Sequence, residues 1–433
     1  MADEGVEGTG GTATTALPPP RVVTADRRQI QLRPLDLESL LPPEHRARAI
    51  WAMVEQLALG KFYDTIVARG SEPGRPAIDP KVLVALWLYA TSEGVGSARE
   101  LARLCEAHDA YRWLCGGVRV NYHTLSDFRV GHEEALDELM TQVLAVMLHR
   151  GLVKLERVAK DGMRVRASAG AASFRREPSL RACLEAAETQ VACVKQEAEH
   201  PVPGRSAREQ AAAARVARER EKRVRQALAE LPAVRAAKRT AEDKTQARVS
   251  TTDPAARVMK MSDGGFRPAY NVQLATATVG RVIVGVQVTN SGADAGQLRP
   301  MLEEIERRTG ERPTEHLVDG GFVKLESIED ATAQGVTVYA PVPEPRKAGS
   351  DRYAPKADDT AAVRAWRQRM STDEAKAIYK ERAATAETTN ADCRTQRGLD
   401  RLLVRGPTKV LCVALWTAIT YNLLRWVAAG GGT

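Results

Sequence analysis

The sequence predicts an α/β protein in which a sheet flanked by helices follows an all-α region and is interrupted by a helical hairpin. Three observations carry this. Short helical patterns with sharp ends fill the stretch from about residue 40 to about residue 150. Valine-rich segments end in Asp-Gly pairs at Asp161 and Asp319. Between them, Leu180 to Ala247 is dense in Ala, Arg, Glu and Lys, the composition of long solvated helices.

Residues 1–30 are rich in Gly, Thr and Pro, with Pro18, Pro19 and Pro20 in a row, and are expected to form a flexible arm. The opening is acidic and Gly-rich, not basic then apolar, so no signal peptide is expected. An all-α domain is expected over residues 31–150. Ile50, Met53, Val54 and Leu57 recur at helical spacing before Gly60. Asp79 followed by Pro80 starts a second helix through Val82, Leu83, Leu86 and Trp87 to Gly94. Ser97-x-x-Glu100 is a capping-box pattern, and Thr124-x-x-Asp127 resembles a cap for a short helix bearing Phe128 and Arg129. Tight turns between short helices resemble a helix-turn-helix, which would set Arg112, Arg119, His123 and Arg129 against DNA. A plain helical bundle with a solvated basic face fits the same residues, and the sequence leaves the two open.

The second domain is expected over residues 151–433. Leu152 to Gly170 reads as a strand that ends or bends at Asp161, because Gly162 follows directly. A carboxylate at the end of a strand suits a metal ligand or base; a turn aspartate beside a glycine is the plainer alternative. A helical insertion is expected over 175–250, turning near Pro201, Pro203 and Gly204, with a narrow apolar stripe from Leu184 to Leu228. Tyr270–Thr278 and Arg281–Thr289 read as a hairpin about Gly280, followed by a helix from Gly296 to Arg308. The short strand of EHLVDGGF then ends in Asp319. If the Asp161 strand is central, with the hairpin on one side and the Asp319 strand on the other, two carboxylates meet. A divalent cation would relieve their repulsion, and oxygen donors favour Mg²⁺. A third acid is then expected on a later helix.

The remaining composition narrows the classes. A balance of 63 Lys and Arg against 55 Asp and Glu, net +8, favours an anionic partner such as nucleic acid. The six cysteines form no C-x-x-C pair and no His cluster at zinc spacing, which reads as reduced thiols of a cytosolic protein. No Walker loop, H-E-x-x-H or G-x-S-x-G occurs. The apolar run Val410–Trp426 is broken by Thr417, Thr420, Asn422 and Arg425, so it reads as a buried helix and not as a membrane span.

The later helix lies in YKERAATAETTNADCRTQRG. With RPAIDPKVLVALWLYA and HTLSDFR in front, KDGMRVRASAG at the first acid, ARVMKMSDGGFRPAYNVQLAT before the hairpin, LVDGGF at the second acid and Tyr421-Asn422-Leu423 near the end, the chain resembles the DDE transposases of bacterial insertion sequences. The resemblance implies a retroviral-integrase-like RNase H core, a mixed five-stranded sheet flanked by helices. It implies that Asp161, Asp319 and Glu387 form the metal-binding catalytic triad, holding two Mg²⁺ ions for which Mn²⁺ can substitute. Tyr379, Arg382 and Arg394 would hold the transposon end. Double-stranded DNA, as element ends and target, would be the substrate of phosphodiester cleavage and strand transfer. A homodimer in the synaptic complex and a cytoplasmic, nucleoid-associated setting follow from the same likeness. A decayed copy that only binds DNA is the alternative. Three departures stand out: Arg394 replaces the family's Lys, Asn390 stands where an aromatic is expected, and Arg382 lies one residue further from Glu387 than in the tightest form of the signature.

Of the nearby acids, Glu387 is favoured by helical phase. Ala383, Glu387, Ala391 and Arg394 share a face expected to pack on the sheet, while Glu381 falls about 120° away and Glu374 on another side. Asp263 in SDGGF and Asp294 in SGADAG read as turn or cap residues.

Overall fold

The computed structural model describes residues 36–70, 76–199, 206–345 and 349–430. The arm expected over 1–30 and the turn near Pro201 lie outside the described residues. Among the described residues, a 3-10 turn at Glu38–Leu40 is followed by seven α-helices: α1 (Arg46–Gln56), α2 (Gly60–Asp64), α3 (Pro80–Ser92), α4 (Ala98–Ala107), α5 (Asp109–Cys115), α6 (Tyr122–Val130) and α7 (Glu133–His149). Asp79 caps α3 by accepting from the Lys81 amide at 2.9 Å, and Pro80 fills the first turn as its spacing predicts. Ser97 accepts from Glu100 N at 3.3 Å, but the Glu100 carboxylate turns to Arg103, so the capping box is half formed. Helix α6 begins earlier than expected: Asn121, not Thr124, caps it, accepting from Thr124 N at 2.9 Å.

Strand β1 (Arg157–Arg166) follows. The insertion leaves and rejoins at a two-stranded ladder of β2 (Phe174–Arg175) and β3 (Val249–Ser250), with α8 (Glu177–Glu199), α9 (Ala207–Ala236) and α10 (Ala241–Thr245) between. Helices α8 and α9 run antiparallel, since Arg220 reaches Gln190, Arg225 reaches Glu188 and Arg235 reaches Glu177. Their seam is Leu180, Ala187, Ala217, Val224, Ala227 and Leu231, whereas Val216, placed in the stripe by sequence, is 58% exposed.

The sheet is completed by β4 (Arg257–Lys260), β5 (Phe266–Ala277), β6 (Ile283–Thr289), then α11 (Leu298–Thr309), β7 (Glu315–Val318), α12 (Leu325–Ala333) and β8 (Thr337–Tyr339). β1 is central: β5 pairs antiparallel on one side and β7 parallel on the other, with β8 parallel beyond β7 and β6 antiparallel to β5. This is the mixed five-stranded sheet of an RNase H-like fold, lengthened by the short strand β4 on the first residues of β5.

Helices α13 (Ala361–Ser371), α14 (Asp373–Arg382), α15 (Thr388–Thr395) and α16 (Pro407–Ala428) close the chain. α16 is long and apolar enough to cross a membrane by composition, yet 78% of its apolar window is buried inside the protein. Its Asn422 side chain bonds both the amide and the carbonyl of Ile283 in β6, each at 2.8 Å, and Trp416 Nε1 donates to the Arg129 carbonyl at 3.0 Å. One hydrophobic core therefore runs from α1 and α3 through α16 into β1, β5 and β6. A second, around Trp366, Val338 and Leu317, backs β7 and β8.

Candidate active site

The two aspartates are set by strand register. In the parallel pair of β1 and β7, Lys160 lies opposite Val318, so the next residues, Asp161 and Asp319, are neighbours on adjacent strands. Asp319 does leave its strand, capping the turn Gly320–Phe322 with Oδ1 accepting from Gly321 N at 2.6 Å. The expectation that β1 ends or bends at Asp161 is corrected: the strand continues through Gly162 to Arg166. Gly162 makes room sideways instead. A Cβ there would stand 2.4 Å from Asp294 Oδ1, 2.5 Å from Gln273 Nε2 and 2.8 Å from Asn271 Oδ1.

The third acid comes from a helix that is not uniformly α-helical. Between α14 and α15, Ala383–Glu387 form one π-helical turn. Across it Arg382 Nη2 donates to Glu387 Oε1 at 2.7 Å, and Arg382 Nη1 lies 4.0 Å from Asp161 Oδ2. Asn390 Nδ2 donates to the same Asp161 oxygen at 3.1 Å. Glu381 points elsewhere, paired with Arg157 at 2.6 Å, and Glu374 is exposed. The face expected to pack on the sheet is corrected too: Ala383, Glu387 and Ala391 are exposed, and Thr385, Ala386, Thr389 and Cys393 are the buried side. Glu387, at the end of the π turn and opposite this buried side, faces an open cleft.

That cleft, about 510 Å³, is lined by Asp161, Arg164, Lys260, Glu387, Asn390 and Arg394 among others. Burial lifts the Asp161 carboxyl above its ordinary value; Arg382 and the Gly162 amide oppose this, and Asp319 and Asp294 add to it. Tyr379 lies half-buried with the Arg382 guanidinium 5.8 Å from its ring centre. Burial pulls the Arg382 pKa down, but Tyr379, Asp161 and Glu387 outweigh it and the net shift is upward.

Two groups beside the acids were not assigned roles by sequence reasoning. Asp294, read there as a turn residue, is a buried hub: Oδ1 accepts from Asn271 and Gln273, both at 2.7 Å, and Oδ2 from Arg164 at 2.8 Å. The signal was present in the Asn-x-Gln of AYNVQL, whose two polar side chains share one strand face and need a buried partner. Lys160, on the same sheet face as Gly162, is fully buried, donates to the Gln297 carbonyl and lies 4.8 Å from the centre of the Phe322 ring. Burial depresses its ammonium to about 7.

Asp161, Asp319 and Glu387 are not drawn together as ligands. Among the described residues no three His, Cys, Asp or Glu side chains form a group able to hold a metal ion. Each acid has found another partner: Arg382 for Glu387, Asn390 and the Gly162 amide for Asp161, the Gly321 amide for Asp319. The donor chemistry nonetheless fits a hard divalent cation, because Asp161 and Glu387 offer carboxylate oxygens to the cleft and, among the described residues, no Cys or His lines it.

In the front helices, Arg129 is corrected as a DNA contact. It is buried, donates to the Gly96 carbonyl and stacks 4.6 Å from the Trp87 ring centre, with burial lowering it to about 10. Its guanidinium ties α6 to α3 and the turn before α4. Arg119 and His123 are exposed, and Arg112 pairs with Asp109 at 3.2 Å.

Two family models match the chain in order. Residues 35–131 match a transposase domain (DUF772), and residues 237–423 match a transposase DDE domain. The second stretch contains Asp319 and Glu387, while Asp161 precedes it. No curated protein and no solved structure matches the chain. A DDE domain implies polynucleotidyl-transferase chemistry on DNA with a general dependence on divalent metal. With the helical front match, the RNase H-like sheet and the DDE match in this order, the chain belongs to the DDE-type transposases of insertion sequences.

Proposed function

We propose that this transposase binds the ends of its insertion sequence, cleaves phosphodiester bonds there with Mg²⁺ and transfers the freed strand into target DNA. The observation that carries this is the register of β1 and β7, which makes Asp161 and Asp319 neighbours, together with Glu387 lining the same cleft as Asp161. Asp161, Asp319 and Glu387 would hold two Mg²⁺ ions, or Mn²⁺ in their place. Such ions would supply activation of a water or 3′ hydroxyl nucleophile and stabilisation of charge on the leaving oxygen.

The chain's own cations serve the DNA. Arg394, in the wall of the cleft that Glu387 also lines, would contact a phosphate, though as a planar fork where the family has a lysine. Tyr379 and Arg382 are the further candidates for holding the element end, Tyr379 by fixing the guanidinium plane of Arg382. A dimer in the synaptic complex and a cytoplasmic, nucleoid-associated setting belong to the same proposal.

A second reading is a copy that binds DNA without cutting it. Asn390 favours it, since an amide stands on Asp161 where the family has an aromatic. The test is end cleavage by the purified full chain on labelled duplex taken from the DNA flanking its gene. Cleavage with Mg²⁺ or Mn²⁺, binding alone with Ca²⁺ and no cleavage in chelator are expected. Binding without cleavage in every metal would favour the second reading, and full activity in excess chelator would overturn the first.

A further inference from the structure

The hairpin between β4 and β5 carries an aromatic side chain that folding leaves unused. Phe266 is 69% exposed, and Val258, diagonal to it across the ladder, is 51% exposed. The hairpin tip is built rigidly. Met261 N donates to the Gly265 carbonyl at 2.7 Å and Gly264 N to the Met261 carbonyl at 3.0 Å, with Gly264 at φ 80°. Asp263, read from sequence as a turn residue, accepts from Gly265 N at 3.0 Å and from Arg267 at 2.7 and 2.8 Å. A tip fixed this way does not fold Phe266 back on itself.

Strand alternation says which way Phe266 faces. Asp161 pairs with Leu274, and Leu274, Val272, Tyr270, Pro268 and Phe266 alternate onto one face of β5. Lys260, the ladder partner of Phe266, shares that face and lines the cleft that holds Asp161 and Glu387. Phe266 therefore stands on the face of the sheet that carries Asp161. It lies roughly 27 Å along the strand from Asp161, eight residue steps at about 3.4 Å each.

We propose that this tip grips the DNA strand that leaves the cleft, Phe266 stacking on an unpaired base and Lys260 meeting a phosphate. The proposal rests on the DNA-end reading above and goes beyond it by naming a stacking site outside the acids. Charge complementarity selects the occupant: away from the acids the groove carries Arg394 at one end and Lys260 at the other, with Arg164 held by Asp294 between them, which suits a polyanion. An unpaired base supplies the open π face that a base inside a duplex does not, and such stacking is tolerant of sequence.

The test is binding without divalent metal, so that it does not depend on cleavage. Affinities of the full chain for a fluorescein-labelled oligothymidylate and for a blunt duplex of equal length are measured by anisotropy. Phe266→Ala should weaken oligothymidylate binding roughly tenfold while barely changing the duplex, and Phe266→Trp should restore it. Lys260→Ala should lower the salt slope by about one. Phe266→Ala binding both probes like wild type, or losing both equally, would overturn the proposal. So would a drop in solution mass on Phe266→Ala, which would make the tip a self-association surface. Binding that depends on Phe266 in a protein that never cleaves would sink only the cleavage reading; no binding of either probe by wild type would sink both.

Discussion

Arg382 and Glu387 form an ion pair at 2.7 Å although they lie five positions apart, and the turn between them is π-helical. In a uniform α-helix, positions five apart diverge by about 140°. The wide turn brings them onto one side, and the same guanidinium reaches within 4.0 Å of Asp161. The extra residue between Arg382 and Glu387 is thus absorbed by the backbone, and the helix resumes its phase at Thr388 with Thr389 and Cys393 still buried. Deleting Ala384 should convert this turn to α-helix and keep the pair at an ordinary four-residue spacing. The variant is expected to melt within a few degrees of wild type, whereas deleting Ala391 rotates Cys393 out of the core and should cost about 3 kcal/mol or more. Thermal melts of both deletions check this; equal loss in the two would mean the π turn absorbs nothing.

Arg129→Ala is expected to act on stability. It removes the bond to Gly96 and the stack on Trp87 from a buried site. The loss should be about 2–4 kcal/mol, while Arg119→Ala on the surface should stay within about 0.5 kcal/mol. Denaturant titration separates these outcomes, and a stable Arg129→Ala with weakened DNA binding would restore the contact role.

How much of this was legible in the sequence depends on what kind of interaction decides each element. Asp79-Pro80, the Gly280 hairpin and the apolar α16 were readable because local chemistry and periodicity settle them. The pairing of both strands with β1, and with it the meeting of Asp161 and Asp319, followed from topology. Arg129 was misread because a charged side chain beside exposed Arg119 and His123 gives no local sign of the Trp87 ring and Gly96 carbonyl that bury it. The π turn was hidden for a related reason: a constant 100° per residue cannot register one inserted residue. Asp294 looked like a turn residue since its partners, Asn271, Gln273 and Arg164, come from two other strands.

Gly162→Ala tests that hub. The new methyl meets Asp294, Gln273 and Asn271 at under 3 Å, so the network must shift. A loss of about 1–3 kcal/mol is expected. In an Asp294→Ala background the same substitution should cost clearly less, because its nearest clash is gone. Additive losses in the double-mutant cycle would contradict the packing described.

His316 gives a pH dependence with a definite sign. It is fully buried in β7, neither ring nitrogen has a hydrogen-bond partner among the described residues, and burial, aided by Lys160, lowers its pKa from 6.5 to about 3. Below 6.5 the unfolded chain takes up a proton that the folded chain refuses, so stability falls as pH drops from 6.5 towards 3 and this contribution is flat above. His316→Leu should flatten that limb of the stability profile in denaturant titrations across the window. An unchanged slope would mean His316 is charged in the fold.

The most direct measurement compares end cleavage by Glu387→Gln and Glu381→Gln in Mg²⁺, with DNA binding followed in parallel. Glu387 lines the cleft with Asp161, whereas Glu381 is engaged by Arg157 on another side of the helix. An amide binds a hard cation weakly. Glu387→Gln is predicted to bind the DNA ends and fail to cut them, while Glu381→Gln keeps most of its activity. A dead Glu381→Gln beside an active Glu387→Gln would contradict the assignment of the third acid.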